Sequence, residues 1–293
     1  MIRSAVVHQP PMRPHWRSVA VIGTGLIGGS IGRCLISRGL AGRVVGIGRN
    51  EATLREARKL GTATDTSLEI SDGVADADLV VVATGVASIP SILEAVDAAA
   101  RPGTLLTDAG STKARIAAAW SRKKRHRARF VPAHPIAGSH RRGPAAADER
   151  LFEGRLTVLT PLPTTPKSDV EAIGEFWAAL GSTVFVTTPK DHDRILAATS
   201  HAPHVLAAAI AATTKGPERR FTAGGWRDTT RIASGDPELW ADILLDNAAN
   251  VGSALARVAT YTERLLSAIE AGDRRRLVAL LEKGKEGRDA VGS

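Results

Sequence analysis

The stretch Val19 to Ser30, "VAVIGTGLIGGS", decides the fold of this 293-residue chain. It predicts a short apolar strand over Ser18 to Gly23, followed by glycines in the spacing G-x-G-x-x-G. The first glycine permits a tight turn, the second lets the backbone approach a pyrophosphate, and the third lets the next helix pack closely. The free N–H groups and the positive dipole end of that helix then attract phosphate. We therefore expect a dinucleotide site at Gly23, Gly25, Leu26, Ile27 and Gly28.

The end of the second predicted strand indicates which dinucleotide binds. An NAD site usually has an Asp or Glu about 20 residues after the motif, where it accepts hydrogen bonds from the ribose hydroxyls. Here Gly48 and Arg49 occupy that place. A small residue leaves space for a 2′-phosphate, and a guanidinium binds phosphate through two hydrogen bonds. The pattern favours NADP over NAD, while an Arg49 that points only into water remains the alternative.

Short apolar strands and amphipathic helical stretches alternate from Val19 to Pro189, which predicts an α/β fold with a doubly wound parallel sheet. "LTVLTPLP" (156–163) and "STVFVTTP" (182–189) are expected to complete this sheet. Ligands of such sheets bind at the carboxyl ends of the strands. That edge should hold the glycine motif, Thr84 as a cofactor contact, the segment 108–113 and the segment 134–140.

The composition changes to helix formers after Pro189. We therefore predict an N-terminal arm over 1–17, a dinucleotide-binding domain over 18–189 and an all-helical domain over 190–293. The longest predicted helix runs from about Pro237 to Ala271 and carries one continuous apolar seam. So long a seam needs a facing helix, from the same chain or from a second subunit.

The bulk composition excludes several classes of protein. The formal net charge is +9, yet the basic runs carry no interleaved aromatic residues, so nucleic acid is not an expected partner. No apolar run of membrane-span or signal-peptide length is evident, and the single Cys34 suits a reducing compartment. A cytoplasmic protein without a membrane partner is the expectation. We expect Cys34 to be a buried apolar residue.

Four further stretches concentrate polar residues in apolar surroundings: "TDAGSTK" (107–113), "AHPIAGSH" (133–140), "TSHAPH" (199–204) and "GGWRDTTRIASGDPELW" (224–240). Together with the glycine motif, they resemble the prephenate and arogenate (cyclohexadienyl) dehydrogenase family of tyrosine biosynthesis. This resemblance implies a Rossmann-type domain followed by an all-helical domain through which two subunits form a homodimer. It also implies an oxidoreductase that uses NADP or NAD without a metal ion in an oxidative decarboxylation.

The resemblance assigns roles to individual residues. His134 matches the catalytic histidine that accepts the substrate hydroxyl proton, and Ser111 matches the serine that bonds both this histidine and the substrate. Ser111 is also expected to lie near the cofactor, although an N-cap role would explain a serine there equally well. Arg231 matches the arginine that binds a substrate carboxylate. The remaining expected substrate contacts are His204, Trp240, Ser139 and His140.

Other residues near these motifs have plainer expected roles. His201 lies three residues before His204, on one helical face, and is expected to support it. No carboxylate or cysteine cluster would complete a metal site around this histidine pair, so we expect no metal. Asp228 is expected to pair with backbone groups or with Arg231.

The substrate is left open between two cyclohexadienyl acids. Ser139 is followed by His140, Arg141 and Arg142, where the family frequently has an acidic residue. A basic loop favours prephenate, because arogenate carries an ammonium group that a carboxylate would attract. Arogenate dehydrogenase and a dual-specificity cyclohexadienyl dehydrogenase are the alternatives within the family. A different hydroxyacid dehydrogenase is less favoured, because no candidate catalytic lysine is evident, and a non-catalytic NADP-sensing or nucleic-acid-binding protein is the alternative of another class.

Overall fold

The computed structural model describes residues 16–139 and 141–292. The strands of this part of the chain are β1 (Trp16–Ile22), β2 (Ala41–Ile47), β3 (Asp65–Ser67), β4 (Leu79–Val82), β5 (Leu105–Asp108), β6 (Arg129–Val131), β7 (Ala133–Pro135), β8 (Leu156–Leu159) and β9 (Thr183–Val186). The helices are α1 (Leu26–Ser37), α2 (Glu51–Lys59), α3 (Ile70–Val74), α4 (Ile89–Ala99), α5 (Ala114–Ser121), α6 (Lys167–Ala179), α7 (Pro189–Leu196), α8 (Ala202–Thr213), α9 (Gly224–Thr230), α10 (Pro237–Asp246), α11 (Ala248–Glu270) and α12 (Arg274–Asp289).

The first six strands form one parallel sheet in the order β3-β2-β1-β4-β5-β6. This confirms the predicted doubly wound α/β fold. Because side chains alternate across a strand, Val19 and Val21 pack towards α1 and α6, whereas Ala20 and Ile22 pack towards α3, α4 and α5. Both faces of the sheet are therefore buried, as the apolar composition of its strands requires.

The expectation that the later strands complete this sheet is wrong. β7, β8 and β9 form a separate three-stranded sheet, in which β7 is antiparallel to β8. The chain leaves the first sheet at Pro132, which has no N–H to donate to a strand ladder and whose carbonyl accepts from the Thr160 N–H at 2.9 Å. The apolar stretch "ARFVPAH" (128–134) is thus divided between two strands, and the second of them carries His134.

The strand β1 begins at Trp16, two residues before the predicted start of the dinucleotide-binding domain. The Trp16 N–H donates to the Leu40 carbonyl at 2.9 Å, and the Trp16 ring packs edge-on against Phe176. Trp16 and Arg17 therefore belong to the sheet, and residues 1–15 lie outside the described part of the chain.

The long helix expected from Pro237 to Ala271 is broken at Asn247. Asn247 has φ −114° and ψ 26°, and α10 and α11 lie on either side of it. Its side-chain amide donates to the Asp193 carbonyl at 2.7 Å. This buried contact with α7 replaces regular helical geometry at one residue, which apolar periodicity cannot reveal.

The helical run Pro189–Thr213 joins α7 to α8 through a π-helical turn over Ala197–His201. By length and composition alone the run is apolar enough to cross a membrane, which the sequence reading did not anticipate. Residues 196–213 contain no Asp, Glu, Lys or Arg. In the fold, however, this run packs against α11, and Ala197 and Ala202 form a core cluster with Val251.

Candidate active site

The glycine motif forms a cradle between β1 and α1. Gly23 has φ +95°, and a Cβ on Gly28 would lie 1.8 Å from the Gly23 carbonyl oxygen, so both positions require glycine. A Cβ on Gly25 would meet nothing within 4 Å, so open space faces the backbone there. Gly25 is the N-cap of α1 and offers no side chain to the first-turn N–H groups of Leu26 and Ile27. This cradle fits the pyrophosphate of a dinucleotide.

Arg49, just beyond the end of β2, presents its guanidinium to solvent. A Cβ on Gly48 would lie 3.3 Å from Leu54, so this position is kept small, and Arg49 is exposed. Over residues 16–139 and 141–292, no carboxylate forms a salt bridge with Arg49. Asn50 caps α2, since its Oδ1 accepts from the Thr53 N–H at 3.0 Å. Thr84, just beyond β4, is half-buried, and its hydroxyl accepts from Ser88 at 3.0 Å.

His134 lies in β7 and contacts a second histidine from α7. The two atoms that meet are His134 Nδ1 and His192 Nε2, 2.9 Å apart. His192 Nδ1 in turn lies 2.8 Å from Asp193 Oδ1. Burial lowers the pKa of His134 well below 6.5, and the neighbouring His192 and Lys113 lower it further. His134 is therefore neutral at pH 7 and able to accept a proton.

Asp193 is fixed by the start of α5. Its Oδ1 accepts from the Lys113 N–H and its Oδ2 from the Ala114 N–H, both at 2.8 Å. Burial would raise the pKa of this carboxyl, but the hydrogen bonds from His192 and from the two backbone groups outweigh burial and lower it. Asp193 is therefore an anchored carboxylate behind the two histidines.

A buried ion pair holds the chain immediately before His134. Lys113 has no exposed side-chain surface and pairs with Asp108 at the end of β5. The Lys113 ammonium also donates to the Ala133 carbonyl at 2.7 Å, and the Ala133 N–H donates to Asp108 Oδ1 at 3.1 Å. Both backbone groups of Ala133 are thus hydrogen-bonded to this pair, which fixes the position of His134, the next residue of β7.

Ser111 neither caps α5 nor forms the predicted hydrogen bond with His134 among the described residues. The N-cap of α5 is Lys113, so Ser111 does not cap this helix. Within the described residues its hydroxyl forms no hydrogen bond with His134. Ser111 is half-buried, in the loop between Asp108 and Lys113 at the carboxyl edge of the sheet.

His204 and Trp240 form a stacked pair in the helical domain. Their ring centroids lie 3.6 Å apart, with 12° between the planes. Gly235 packs so closely here that a Cβ would lie 2.4 Å from the Trp240 indole nitrogen. The His204 Nδ1 atom is buried without a hydrogen-bond partner among the described residues. The stack is therefore a closely packed aromatic pair with one buried, unpartnered nitrogen.

His201 is a buried supporting residue behind this stack. Its Nδ1 lies 3.2 Å from the side-chain amide of Asn247, and burial lowers its pKa to about 4. Its ring also contacts Trp240 edge-on. The geometry gives His201 the supporting place that was expected for it.

The predicted carboxylate-binding residue and the loop after β7 lie at the protein surface. Arg231 is exposed, in a single 3₁₀ turn over Arg231–Ser234. Asp228 is exposed too, and among the described residues its carboxylate forms neither a salt bridge with Arg231 nor a hydrogen bond with a backbone group, so both expected pairings are wrong. Arg142 pairs with Asp236, which also caps α10 by accepting from the Glu238 N–H at 2.9 Å.

Ser139 is exposed, and its hydroxyl accepts from the Arg141 N–H at 3.1 Å. His140 lies outside the described residues. The loop is thus joined to the helical domain by the Arg142–Asp236 pair, near the turn that carries Arg231.

Sequence reasoning missed a buried set of polar residues: Asp108, Lys113, His192, Asp193 and Asn247. A signal for two of them exists, because α7 begins at Pro189 and its buried positions include His192, Asp193, Leu196 and Ala197. A His-Asp pair on the apolar face of a helix is costly unless its groups are hydrogen-bonded, so it marks a polar network.

Comparisons with known proteins identify the family to which the chain is similar. The family model for the prephenate dehydrogenase nucleotide-binding domain matches residues 31–186, and the model for the prephenate dehydrogenase dimerization domain matches residues 188–283. Prephenate dehydrogenase of Bacillus subtilis (strain 168) is 33% identical over 94% of this chain and 76% of its own length. Cyclohexadienyl dehydrogenase of Zymomonas mobilis is 30% identical over 94% of this chain and 96% of its own.

A solved structure is similar across both domains. The crystal structure of prephenate dehydrogenase from A. aeolicus, in complex with hydroxyphenyl propionate and NAD+, has 29% sequence identity and a TM-score of 0.86. The match covers 94% of this chain and 98% of the other. With two family models over nearly the whole chain and a polar site at the carboxyl edge of its Rossmann-type sheet, this chain belongs to the prephenate dehydrogenase family of oxidoreductases.

Proposed function

We propose that this protein catalyses the oxidative decarboxylation of prephenate to 4-hydroxyphenylpyruvate, a step of tyrosine biosynthesis. The observation that carries the proposal is the neutral His134, in contact with His192, in a chain of this family that also carries a dinucleotide cradle. Bound NADP or NAD supplies the acceptor for the hydride that leaves the ring carbon bearing the hydroxyl. The ring carboxylate leaves as carbon dioxide, and the ring becomes aromatic.

The residues of this chain perform the remaining tasks. His134 accepts the hydroxyl proton as the hydride departs, which is general base catalysis by a group that is unprotonated at neutral pH. Arg231 binds a carboxylate through its planar guanidinium, and the His204–Trp240 stack packs against the ring. We assign Ser111 and Ser139 to the substrate side of the proposed site and Thr84 and Ser111 to its cofactor side, and the resemblance alone assigns His140, which lies outside the described residues, to substrate binding.

The choice between the two cyclohexadienyl acids is tested by rates. We expect prephenate to be preferred, because Arg141 gives the loop after β7 a positive charge that disfavours the arogenate ammonium group, whereas the charge of Arg142 is compensated by Asp236. A dual-specificity enzyme is the second candidate, since the Zymomonas mobilis relative is a cyclohexadienyl dehydrogenase. The experiment compares kcat/KM for prephenate and arogenate with NAD and with NADP. Turnover of neither acid would refute the proposed activity.

Arg49 supplies a direct test of cofactor choice. Arg49→Ala is expected to raise the KM for NADP about tenfold or more, because hydrogen bonds to a charged phosphate contribute roughly 1.5–3 kcal/mol. The KM for NAD should change little, because NAD has no 2′-phosphate for Arg49 to bind. Arg55→Ala is the matched control, since Arg55 is an exposed arginine of α2 paired with Glu51. Equal losses with NAD and NADP would show that Arg49 does not recognise the phosphate.

Arg231 supplies a test of substrate binding. Arg231→Lys is expected to lower kcat/KM for prephenate by about 10- to 100-fold, because lysine keeps the charge but loses the planar, two-pronged donor geometry. The KM for the cofactor should stay unchanged. Arg227→Lys, at an exposed arginine of α9, is the control. A wild-type kcat/KM for Arg231→Lys would contradict carboxylate binding by this residue.

We also propose that the chain forms a homodimer through its helical domain, residues 190–293, and acts in the cytoplasm. The family model over residues 188–283 is that of a dimerization domain. Large apolar side chains of this domain are exposed in the single chain: Leu206, Ile210, Leu239, Leu245, Leu266, Ile269 and Leu281. Covering such side chains by a second copy would stabilise the pair.

A further inference from the structure

We propose that His192 and Asp193 are positioning residues that hold His134 in the tautomer with its hydrogen on Nδ1. The His134 Nε2 lone pair is then free for the substrate hydroxyl. The inference rests on the proposed function for the use made of His134, but the tautomer itself can be measured without substrate.

The assignment of hydrogens begins at Asp193. Its two oxygens already accept from the backbone N–H groups of Lys113 and Ala114. Hydrogen bonds keep the pKa of this carboxyl lowered, so it is ionised and can only accept. The 2.8 Å contact between Asp193 Oδ1 and His192 Nδ1 therefore places a hydrogen on His192 Nδ1.

The place of the hydrogen between the two rings follows from the neutral state of His192. Its side chain has no exposed surface, and burial lowers its pKa even though Asp193 raises it. A neutral His192 with a hydrogen on Nδ1 has a lone pair on Nε2. The only hydrogen available for the 2.9 Å contact between the two rings is then the one on His134 Nδ1. The competing arrangement, a doubly protonated His192, would give His134 a hydrogen on Nε2 and make it unable to accept a proton there.

The surrounding charges favour the neutral pair. The cationic Lys113 faces both rings from the start of α5, and His201 faces them from the π turn. Asp193, beside His192, and Asp108, paired with Lys113, provide the negative charges that act on His192. Before the reaction no net positive charge lies on the histidines, and afterwards Asp193 stabilises the charge that they acquire.

The proton transfer then balances simply. The substrate O–H bond breaks as the His134 Nε2–H bond forms, and the O–H electron pair forms a carbonyl while the C–H pair leaves the same carbon as hydride for the bound nicotinamide. The hydrogen on Nδ1 of the resulting His134 imidazolium stays hydrogen-bonded to His192 Nε2. It can transfer to His192 Nε2, while the hydrogen on His192 Nδ1 continues to face Asp193. The positive charge is thereby shared by the two rings and stabilised by the fixed carboxylate of Asp193. The aspartate of a serine protease triad stabilises its histidine in the same way. When carbon dioxide leaves, the electrons of its bond to the ring make the ring aromatic, and the oxygen takes a proton back from His134 to become the phenol.

The first experiment is ¹⁵N NMR of histidine-labelled protein without substrate, at pH 7.5. His134 is expected to show a protonated Nδ1 and an unprotonated Nε2, and His192 a protonated Nδ1 only. Signals are assigned by their loss in His134→Asn and His192→Gln. A hydrogen on His134 Nε2 in the neutral ring, or a doubly protonated His192, would overturn the proposal.

The second experiment measures kinetics for two replacements of His192. His192→Leu removes the acceptor and should lower kcat at least about 100-fold with a smaller change in KM, because a wrongly oriented base is a poor one. His192→Gln keeps an amide oxygen within reach of the Nε2 position and should recover most of kcat. His126→Gln, at a histidine that is held by Asp97 and stacked on Trp120, outside the proposed site, should match the wild type.

Cofactor affinity, measured by fluorescence titration, shows that each variant is folded. Wild-type kcat in His192→Leu would refute a positioning role, and so would a His192→Gln variant that binds cofactor but is as slow as His192→Leu. If the wild type turned over no cyclohexadienyl acid, the proposed function would fail, whereas the NMR result would still decide the tautomer.

Discussion

Replacement of His134 by Asn is expected to lower kcat for prephenate by about 1,000-fold, within the range that a positioned general base contributes. Asparagine is smaller than histidine and cannot take up the hydroxyl proton at any pH used for assays. Because the glycine cradle lies at the end of β1 and not in β7, the affinity for NADP should be unchanged. Stopped-flow measurement of cofactor reduction gives kcat, and a fluorescence titration gives the cofactor affinity.

The pH profile identifies the base. His134 acts only when unprotonated, and burial moves its pKa below 6.5, so activity should be complete at pH 7. The rate should fall only as the pH drops through this lowered pKa. In His134→Asn the residual rate should lack this acid limb. A variant that kept both the wild-type kcat and the acid limb would show that another group accepts the proton.

Replacement of Lys113 by Met is expected to lower the free energy of unfolding by about 3–5 kcal/mol. The substitution removes the charge that compensates Asp108, which has no exposed side-chain surface. It also removes the donor to the Ala133 carbonyl and so loosens the strand that carries His134. Urea unfolding followed by circular dichroism measures the loss.

The control for this effect is an exposed pair of the same chemistry. Lys285→Met breaks the pair with Asp289 on the surface of α12, where both side chains are largely exposed, so its cost should stay below about 1 kcal/mol. Adding Asp108→Asn to Lys113→Met should restore part of the lost stability, since it removes the uncompensated charge. A Lys113→Met variant as stable as Lys285→Met would show that this pair contributes nothing to folding.

Local sequence was enough to predict the Rossmann-type sheet and its glycine cradle. The tight turn at Gly23 and the contact between Gly28 and the Gly23 carbonyl are set by residues a few positions apart, so their requirements appear directly in the motif. Alternation of apolar strands with amphipathic helices likewise reports burial one element at a time. His134, His204 and Arg231 were found from short motifs that resemble a known family.

The environment of these residues could not be predicted in the same way, because it is built from contacts between distant parts of the chain. His134 and His192 are 58 residues apart, and Asn247 lies 54 residues from the Asp193 carbonyl that it binds. The break between α10 and α11 exists because Asn247 makes that buried contact, and the second sheet exists because Pro132 turns β7 towards β8.

Apolar periodicity in a sequence shows which face of an element is buried, but it does not show which polar groups meet there. The sequence was therefore sufficient for the Rossmann-type sheet and for the cofactor cradle, and its resemblance to a known family pointed to His134 as the base. Only the tertiary structure decides how that base is oriented, where its hydrogen lies and which carboxylate supports it. These properties depend on how β5, β7, α5 and α7 pack together, because hydrogen bonds and ion pairs form only between groups that folding brings within about 3 Å.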